Sequence, residues 1–431
     1  MKIAIIGGGI SGMVAAHRLH RDHSITLFEA NDYIGGHTNT IDVESEQGTF
    51  SVDTGFIVFN DRTYPNFIRL LDELGVESQP TRMNFSVSCA QTGLEYRGAD
   101  FNGLFAQRKN LVNPKFHRLL WDLLRFNRLG QNLLESDGED ETVSDFLERH
   151  KFSQQFVHQY FLPMGAAIWS APFAMFRKFP IRFIAEFYHN HGLLGITNRP
   201  QWRVIKGGSR QYIGPLTKGW ADRIKLNSPV ESVQRHDGGV SVKPVGNKAE
   251  PYDHVIFACH SDQALSVLGD NATPIEREIL SAFPYQPNLA ILHTQESVLP
   301  RNRRAWACWN YYNPSTESDV ATVTYNMNML QSLESNQTYC VTLNDPGHIA
   351  EENIIGSFKY SHPTFGVNRS QMQRRHGELI NQNSTSFCGA YWGNGFHEDG
   401  VNSAMAVVEA LSSNSQTNLL NPDKMASGVQ S

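Results

Sequence analysis

Lys2-Ile3-Ala4-Ile5-Ile6-Gly7-Gly8-Gly9-Ile10-Ser11-Gly12 follows the first methionine, and the reading of this stretch decides the fold. Lys2 to Ile6 is a short, β-branched apolar run, the pattern of a buried strand. Met13 to Arg21 reads as a helix with Val14, Ala15 and Leu19 on its inner face, and Ser24 to Phe28 makes a second strand with Glu29 at its end. Strand, G-x-G-x-x-G at Gly7, Gly9 and Gly12, helix, strand and acid together form the context that a dinucleotide requires. Gly7 permits the tight turn, Gly9 lets backbone approach a pyrophosphate, and Gly12 allows the helix to pack closely on the strand. The N-terminus of that helix supplies free N–H groups and a partial positive charge for the pyrophosphate, and Ile10 and Ser11, between the glycines, are cofactor-binding candidates with them. Glu29 stands 22 residues after Gly7, near the ~20 expected for a carboxylate that binds a ribose hydroxyl and repels the extra phosphate of NADP.

The fingerprint does not separate NAD from FAD, but later residues do. Gly35-Gly36-His37-Thr38 follows the second strand by a short loop, and from here the chain resembles the flavin-containing amine oxidoreductase superfamily. In that family a Gly-Gly pair at this place touches the FAD diphosphate and flavin, which implies contacts from Gly36, His37 and Thr38. His37 stands where arginine is usual, and a neutral imidazole neutralises less phosphate charge than a guanidinium. Its alternative reading is a proton shuttle. Val52-Asp53-Thr54-Gly55-Phe56 resembles the family's Asp-x-Gly turn near the flavin, implying roles for Thr54 and Gly55. Gly207-Gly208-Ser209, Leu226 to Val230 and Asp253 to Ala258 resemble the returning strands, with the Val230 backbone expected against adenine.

Phe387-Cys388-Gly389-Ala390-Tyr391-Trp392-Gly393-Asn394-Gly395-Phe396-His397-Glu398-Asp399-Gly400 leads into an expected helix from about Val401 to Leu411. The resemblance puts the N-terminus of this helix at the flavin pyrimidine edge, making Gly389, Gly400 and Val401 cofactor contacts. Its dipole would stabilise the negative charge of reduced flavin. Tyr391 replaces the ribitol-binding acid of the amine oxidases, and Phe396 takes one of their two substrate-sandwiching aromatic positions without the hydroxyl. With Ala167-Ile168-Trp169-Ser170, His191-Gly192-Leu193-Leu194 and His362-Pro363, the chain is also similar to a subgroup of predicted flavoproteins. These occur alone in bacteria or as the N-terminal half of plant cyclopropane fatty acid synthases. That likeness covers residues 1 to about 411 and implies noncovalent FAD and a connection with fatty-acyl or phospholipid modification.

The expected fold is α/β, a Rossmann-like FAD-binding domain of the amine oxidase and glutathione reductase type interleaved with an α+β substrate domain. The FAD domain is expected at 1–75, 203–270 and 384–412, the substrate domain at 76–202 and 271–383, and a polar, mobile tail at 413–431. The substrate domain should hold a helix from Phe116 to Leu134, a solvated acidic loop from Glu135 to Glu141 and another helix starting near Thr142. A second dinucleotide fingerprint is lacking, so electrons are expected to leave reduced flavin to oxygen, a quinone or a protein partner.

The chain has 431 residues, enough for two or three domains around an enclosed ligand. Its net charge of −6, with one dense basic cluster at Arg301, Arg303 and Arg304, argues against nucleic acid. Five scattered cysteines without a C-x-x-C pair argue against a zinc site, a redox dithiol and a disulfide framework. No apolar run reaches the ~18 residues of a membrane span, and the N-terminal run is too short for a signal peptide. The cytoplasm is therefore the expected compartment, with peripheral membrane contact left open. Aromatic residues make up 11%, which suits either a large core or the enclosure of something flat and apolar. Ala166 to Phe176, with Trp169, Phe173 and Phe176, has the same two readings: core, or the wall of an acyl tunnel or a membrane-dipping surface.

The candidate catalytic residues are His397, Phe396 and Trp392, each with a structural alternative as buried histidine or core ring. No metal is expected, because His397-Glu398-Asp399 lacks a second histidine at ligand spacing. Asp399 reads first as a helix N-cap. The leading function is an FAD-dependent oxidoreductase that dehydrogenates or isomerises a fatty-acyl or lipid substrate, with hydride moving to flavin N5. The alternatives are a flavin amine oxidase, and a non-catalytic FAD-bound partner of a cyclopropane-fatty-acid-type methyltransferase.

Overall fold

The computed structural model describes residues 1–135, 141–169, 172–195, 199–313, 322–364, 366 and 368–419. The chain forms two compact units, one of residues 1–36, 212–284 and 368–431, the other of 37–211 and 285–367. The chain thus passes between units at Gly36, and residues 37–75 and 203–211 lie in the second unit rather than with the fingerprint. The reason is packing: Val43, Val52, Ile57 and Val204 share one buried cluster with Ala290, Leu292 and Val341.

The first unit is built on five parallel strands, β1 (Lys2–Ile6), β2 (Ser24–Phe28), β3 (Ile224–Lys225), β4 (His254–Phe257) and β5 (Thr385–Phe387). Their order in the sheet is β3-β2-β1-β4-β5. Ile3, Ala4 and Ile5 at its centre are fully buried, as expected of a parallel strand covered on both faces. Helix α1 (Ile10–Leu19) begins at Ile10, earlier than the expected Met13, because Ser11 and Gly12 are already helical. The carboxyl ends of three strands meet: Gly7 N–H bonds Phe28 O at 2.8 Å, Ala258 N–H bonds Ile6 O at 2.8 Å, and Cys388 N–H bonds Phe257 O at 2.8 Å. That edge is where open α/β sheets bind ligands.

The C-terminal helix α2 runs from His397 to Leu419, which corrects both of its expected ends. It starts four residues before Val401 because Asp399 closes the first turn from inside. It also continues past Leu411 into the segment read as a tail, because residues 412–419 hold no glycine or proline to stop propagation. Residues 420–431 lie outside the described residues.

The second unit centres on a seven-stranded sheet whose neighbouring strands are antiparallel except for Trp309–Asn313 beside Phe85–Cys89. A hairpin of Thr40–Ser45 and Gly48–Asp53 lies in the same unit. The helix expected over Phe116 to Leu134 spans Pro114–Glu135, and the next one is Val143–Arg149, capped by Thr142 whose Oγ accepts Asp145 N–H at 3.2 Å. The acidic stretch 136–140 lies outside the described residues. Much of the aromatic surplus is spent here: Phe126 sits 4.7 Å from Phe161, 5.9 Å from Phe156 and 6.1 Å from Tyr188, ring centre to ring centre. Trp169 and Phe176 belong to this core, 4% and 0% exposed, so the membrane-dipping reading of that stretch is withdrawn.

Candidate functional site

The fingerprint glycines are demanded for different reasons. Gly7 has φ +109° and a Cβ there would stand 2.8 Å from Ala258 O. A Cβ on Gly12 would lie 2.0 Å from Gly7 O. Gly9 is different: its φ of −73° suits any residue, and a Cβ would meet nothing within 4 Å. Among the described residues no contact requires glycine at position 9. The open space faces the start of α1, where no side chain caps the helix and no acid occupies the first turn. Such an end is suited to an anion. Glu29 is buried beside it, with Oε2 accepting Gly8 N–H at 2.7 Å and Oε1 accepting both Asn31 N–H and Asn31 Nδ2–H at 2.9 Å. Ser228 N–H bonds Glu29 O at 2.8 Å, which brings the lead into the strand Val230–His236 next to this acid. Gly36, with φ +61°, has its would-be Cβ 3.3 Å from Gly9 Cα.

The start of α2 meets the start of α1. A Cβ on Gly400 would lie 2.7 Å from Ile10 Cγ2 and 2.9 Å from Ser11 Oγ, so Gly400 is the residue that lets the two N-terminal turns touch. Val401 is buried behind it. Gly389 is fixed by Ser403, whose Oγ accepts Gly389 N–H at 2.9 Å and lies 3.0 Å from Gly389 O and 3.1 Å from Gly400 O. The loop between is held from within: Gln373 Nε2 donates to Tyr391 O at 2.8 Å and Gly393 O at 2.6 Å, and Arg369 also donates to Gly393 O.

Asp399 is not the N-cap. It is the third residue of α2, and its Oδ2 accepts the N–H of Phe396, the residue before the helix, at 2.9 Å. This is the acid half of a capping box. Burial pushes its carboxyl up to about 6, opposed by the N–H groups of Phe396 and Asn394 and the Arg369 charge, with Glu398 adding to the rise. Asp399→Ala is expected to cost about 1–2 kcal/mol by releasing these N–H groups, read as a lower urea midpoint followed by tryptophan fluorescence.

Of the three candidate catalytic residues, His397 is buried, with Nε2 3.3 Å from the hydroxyl of fully buried Tyr212. Trp392 stacks on His376 at 4.1 Å and stands edge-on to Phe283 at 5.4 Å. Burial lowers His376 to about 4, so that imidazole is neutral near pH 7, and its Nε2 lies 2.7 Å from Phe387 O. The indole N–H of Trp392 is buried with no hydrogen-bond partner among the described residues. Phe396 is half-buried.

His37, Thr38, Thr54 and Gly55 come together in the second unit, where Phe56 N–H bonds His37 O at 2.7 Å and Thr54 N–H bonds Asn39 O at 2.9 Å. A Cβ on Gly55 would stand 2.3 Å from His37 O. The His37 ring stacks on Tyr360 at 4.9 Å and lies 5.2 Å from His362. Thr54 Oγ donates to Asn39 O at 3.0 Å, so the Tyr360 hydroxyl, 2.9 Å away, donates to Thr54 and accepts Asn39 Nδ2–H at 3.1 Å. Burial and then the neighbouring His37 lower His362 to about 3, leaving it neutral. Asp53 lies fully buried nearby, taking Thr40 Oγ–H at 2.6 Å, Ser209 N–H and Oγ–H at 2.8 Å and Gln331 Nε2–H at 3.1 Å. The Asp-x-Gly and Gly-Gly-Ser motifs are therefore one hydrogen-bonded unit. Sequence reasoning named neither Tyr212 nor Tyr360, each of which is far in the chain from its partner. His362 was visible only as part of a His-Pro pair.

A sequence model described as flavin containing amine oxidoreductase matches residues 10–302. The chain belongs to that family, and membership implies FAD. Amine oxidase [flavin-containing] A of Canis lupus familiaris is 24% identical over 266 residues, covering 59% of this chain and 49% of that protein. The chain spans about half the length of the curated relatives it matches. Among solved structures, cyclohexylamine oxidase of Brevibacterium oxydans IH-35A superposes with TM-score 0.67 at 18% identity, over 95% of this chain and 99% of that one. A CLA-producing fatty acid isomerase from P. acnes gives TM-score 0.65 at 15% identity, over 95% and 98%. These likenesses establish the fold.

The residues present fit the family's cofactor. Gly9 is a glycine that the protein's own atoms do not need, beside an uncapped helix end. The Glu29 carboxylate keeps acceptor capacity after its three N–H bonds, since its two oxygens offer about four lone-pair sites. No helix among the described residues is long and apolar enough to cross a membrane.

Proposed function

We propose that the chain is an FAD-dependent oxidoreductase acting on a fatty-acyl substrate, by dehydrogenation or by redox-neutral isomerisation of a double bond. Bound FAD would supply a two-electron acceptor. The chain's own residues would hold the pyrophosphate at Gly9, Ile10, Ser11 and Gly12 and a ribose hydroxyl at Glu29. The first turn of α2 would favour negative charge near Gly400 and Val401.

The observation that carries the substrate class is the Trp392 indole N–H, buried without a partner beside a neutral His376. A buried donor needs an acceptor, and an acyl carbonyl or carboxylate offers one, whereas an ammonium group offers only donors. Phe396 adds a flat apolar surface with no hydroxyl. The amine oxidase reading is favoured instead by the names of the curated relatives.

Anaerobic mixing with unsaturated phospholipid or free fatty acid is expected to bleach the flavin or move the double bond, read by absorbance and by mass spectrometry of the lipid. Reduction by a polyamine with no response to lipid would overturn the acyl reading in favour of an amine oxidase. A third reading, an FAD-bound partner of a lipid methyltransferase, predicts that a folded FAD-free Gly9→Asp variant stimulates lipid methylation as well as the parent does.

A further inference from the structure

Eleven large apolar side chains are exposed among the described residues, and five of them, Phe101, Leu111, Val112, Trp121 and Leu124, fall between positions 101 and 124. Chance would put fewer than one there. Val112 is 84% exposed and Trp121 53%. The helix Pro114–Glu135 buries Phe116, Leu119, Phe126 and Gly130 on one side. On the other, Arg118, Trp121, Leu124 and Arg128 recur every three or four residues and share one exposed face, while Lys115 is exposed in the first turn of the helix. The knuckle that precedes the helix, Arg108–Val112, is fixed in place by His117, whose Nε2 lies 2.8 Å from Leu111 O.

The charge here opposes that of the chain. Between Phe101 and Gly130 stand Arg108, Lys109, Lys115, Arg118, Arg125 and Arg128 against the single acid Asp122, in a protein of net charge −6. Asp122 is buried and already paired with Arg118 at 3.1 Å and Arg125 at 3.0 Å. Asp100, beside Phe101, is paired with Arg97 at 2.5 Å. The next acid along the helix is Glu135, at its far end, about 30 Å from Lys115 by helical rise. The Trp121 ring carries the guanidinium groups of Arg118 at 4.7 Å and Arg125 at 5.3 Å.

We propose that this face docks on an anionic phospholipid surface, with the Leu111–Val112 knuckle and Trp121 entering the headgroup region and the surrounding Lys and Arg residues meeting lipid phosphate. Exposed apolar side chains framed by cations are complementary to that surface, which offers an apolar interior under a negative boundary. Tryptophan with flanking arginine suits the interface, where one part of the side chain is apolar and the other wet. The proposal is independent of the substrate turned over, because docking is measured without turnover.

The test is sedimentation of the full-length, FAD-loaded protein with phosphatidylcholine vesicles with and without about 30 mol % phosphatidylglycerol. Binding is expected only to the anionic vesicles, weakening severalfold in ~0.5 M NaCl. Lys109→Ala and Lys115→Ala should each reduce affinity about fivefold. Val112→Asp with Trp121→Glu should reduce it at least tenfold by removing the apolar contact. Lys243→Ala, on an exposed hairpin of the other unit, should change nothing. Unaltered flavin absorbance shows that each variant is folded. Absence of binding, or equal binding by all variants, overturns the proposal. So does a concentration-dependent doubling of mass that Trp121→Glu abolishes, which would make the face an interface between copies.

Discussion

A Gly9→Asp variant will purify folded and without bound flavin, while Gly12→Ala will lose stability along with the cofactor. The two glycines sit three residues apart in one fingerprint, yet they answer to different neighbours. Position 9 has φ −73° and open space where a Cβ would stand, so the protein accommodates a side chain there without strain. What it would not accommodate is a carboxylate beside a pyrophosphate: at about 4 Å near a protein surface, each like-charge pair costs about 4 kcal/mol, roughly a thousandfold in affinity. At position 12 a Cβ would overlap the carbonyl oxygen of Gly7 at 2.0 Å, and backbone does not move aside cheaply. Overpacking of this kind costs about 1–3 kcal/mol, and more when the obstacle is main chain. The measurements are the visible spectrum of each purified variant and its thermal midpoint against parent protein stripped of flavin, which removes the stabilisation due to the ligand itself. A yellow Gly9→Asp protein would sink the assignment of the pyrophosphate to this loop.

The contrast shows how far the sequence can be read. Spacing alone predicted strand, glycine turn, helix and acid because each depends on neighbours within a few residues, and the observed strands Lys2–Ile6 and Ser24–Phe28 have the expected bounds. Spacing could not tell which glycine serves the protein and which serves a ligand, since that depends on Ala258 and Gly7 O in space. The start of α2 shows the same limit. A Ser, Thr, Asp or Asn before a helix is the usual N-cap, so Asp399 was read as one. Instead the acid reaches backward from inside the first turn to the Phe396 N–H, the alternative that a capping box always leaves open. The contacts that fix His37, Thr54 and His397 were out of reach, because Tyr360 lies 306 residues from Thr54 and Tyr212 lies 185 residues from His397. No local periodicity carries such information.

Asp53→Ala is expected to destabilise the second unit by about 3–5 kcal/mol. The carboxylate is fully buried and gathers donors from Thr40, Ser209 and Gln331, which come from a hairpin strand, the start of a 3-10 turn and a short helix. Its removal leaves the Ser209 N–H and the Gln331 amide without an acceptor, at about 1–3 kcal/mol each, and opens a cavity besides. The pH dependence gives a second, independent readout. Burial pushes the Asp53 carboxyl from 3.8 up to about 6, against the opposing bonds from Thr40 and Ser209. The folded protein therefore holds this proton more tightly than the unfolded chain does. The stabilisation is fully present below about pH 4 and is lost as pH rises through about 6, by about 1.4 kcal/mol for each unit of separation. Asp53→Asn does not titrate, so the stability difference between parent and Asp53→Asn should shrink between pH 4.5 and pH 7.5. Asp399 shifts in the same direction in both proteins and cancels from that difference. Urea midpoints of the two proteins at both pH values measure it. A difference that stays flat, or grows with pH, would show that the bonds from Thr40, Ser209 and Gln331 outweigh burial and hold Asp53 ionised across the range.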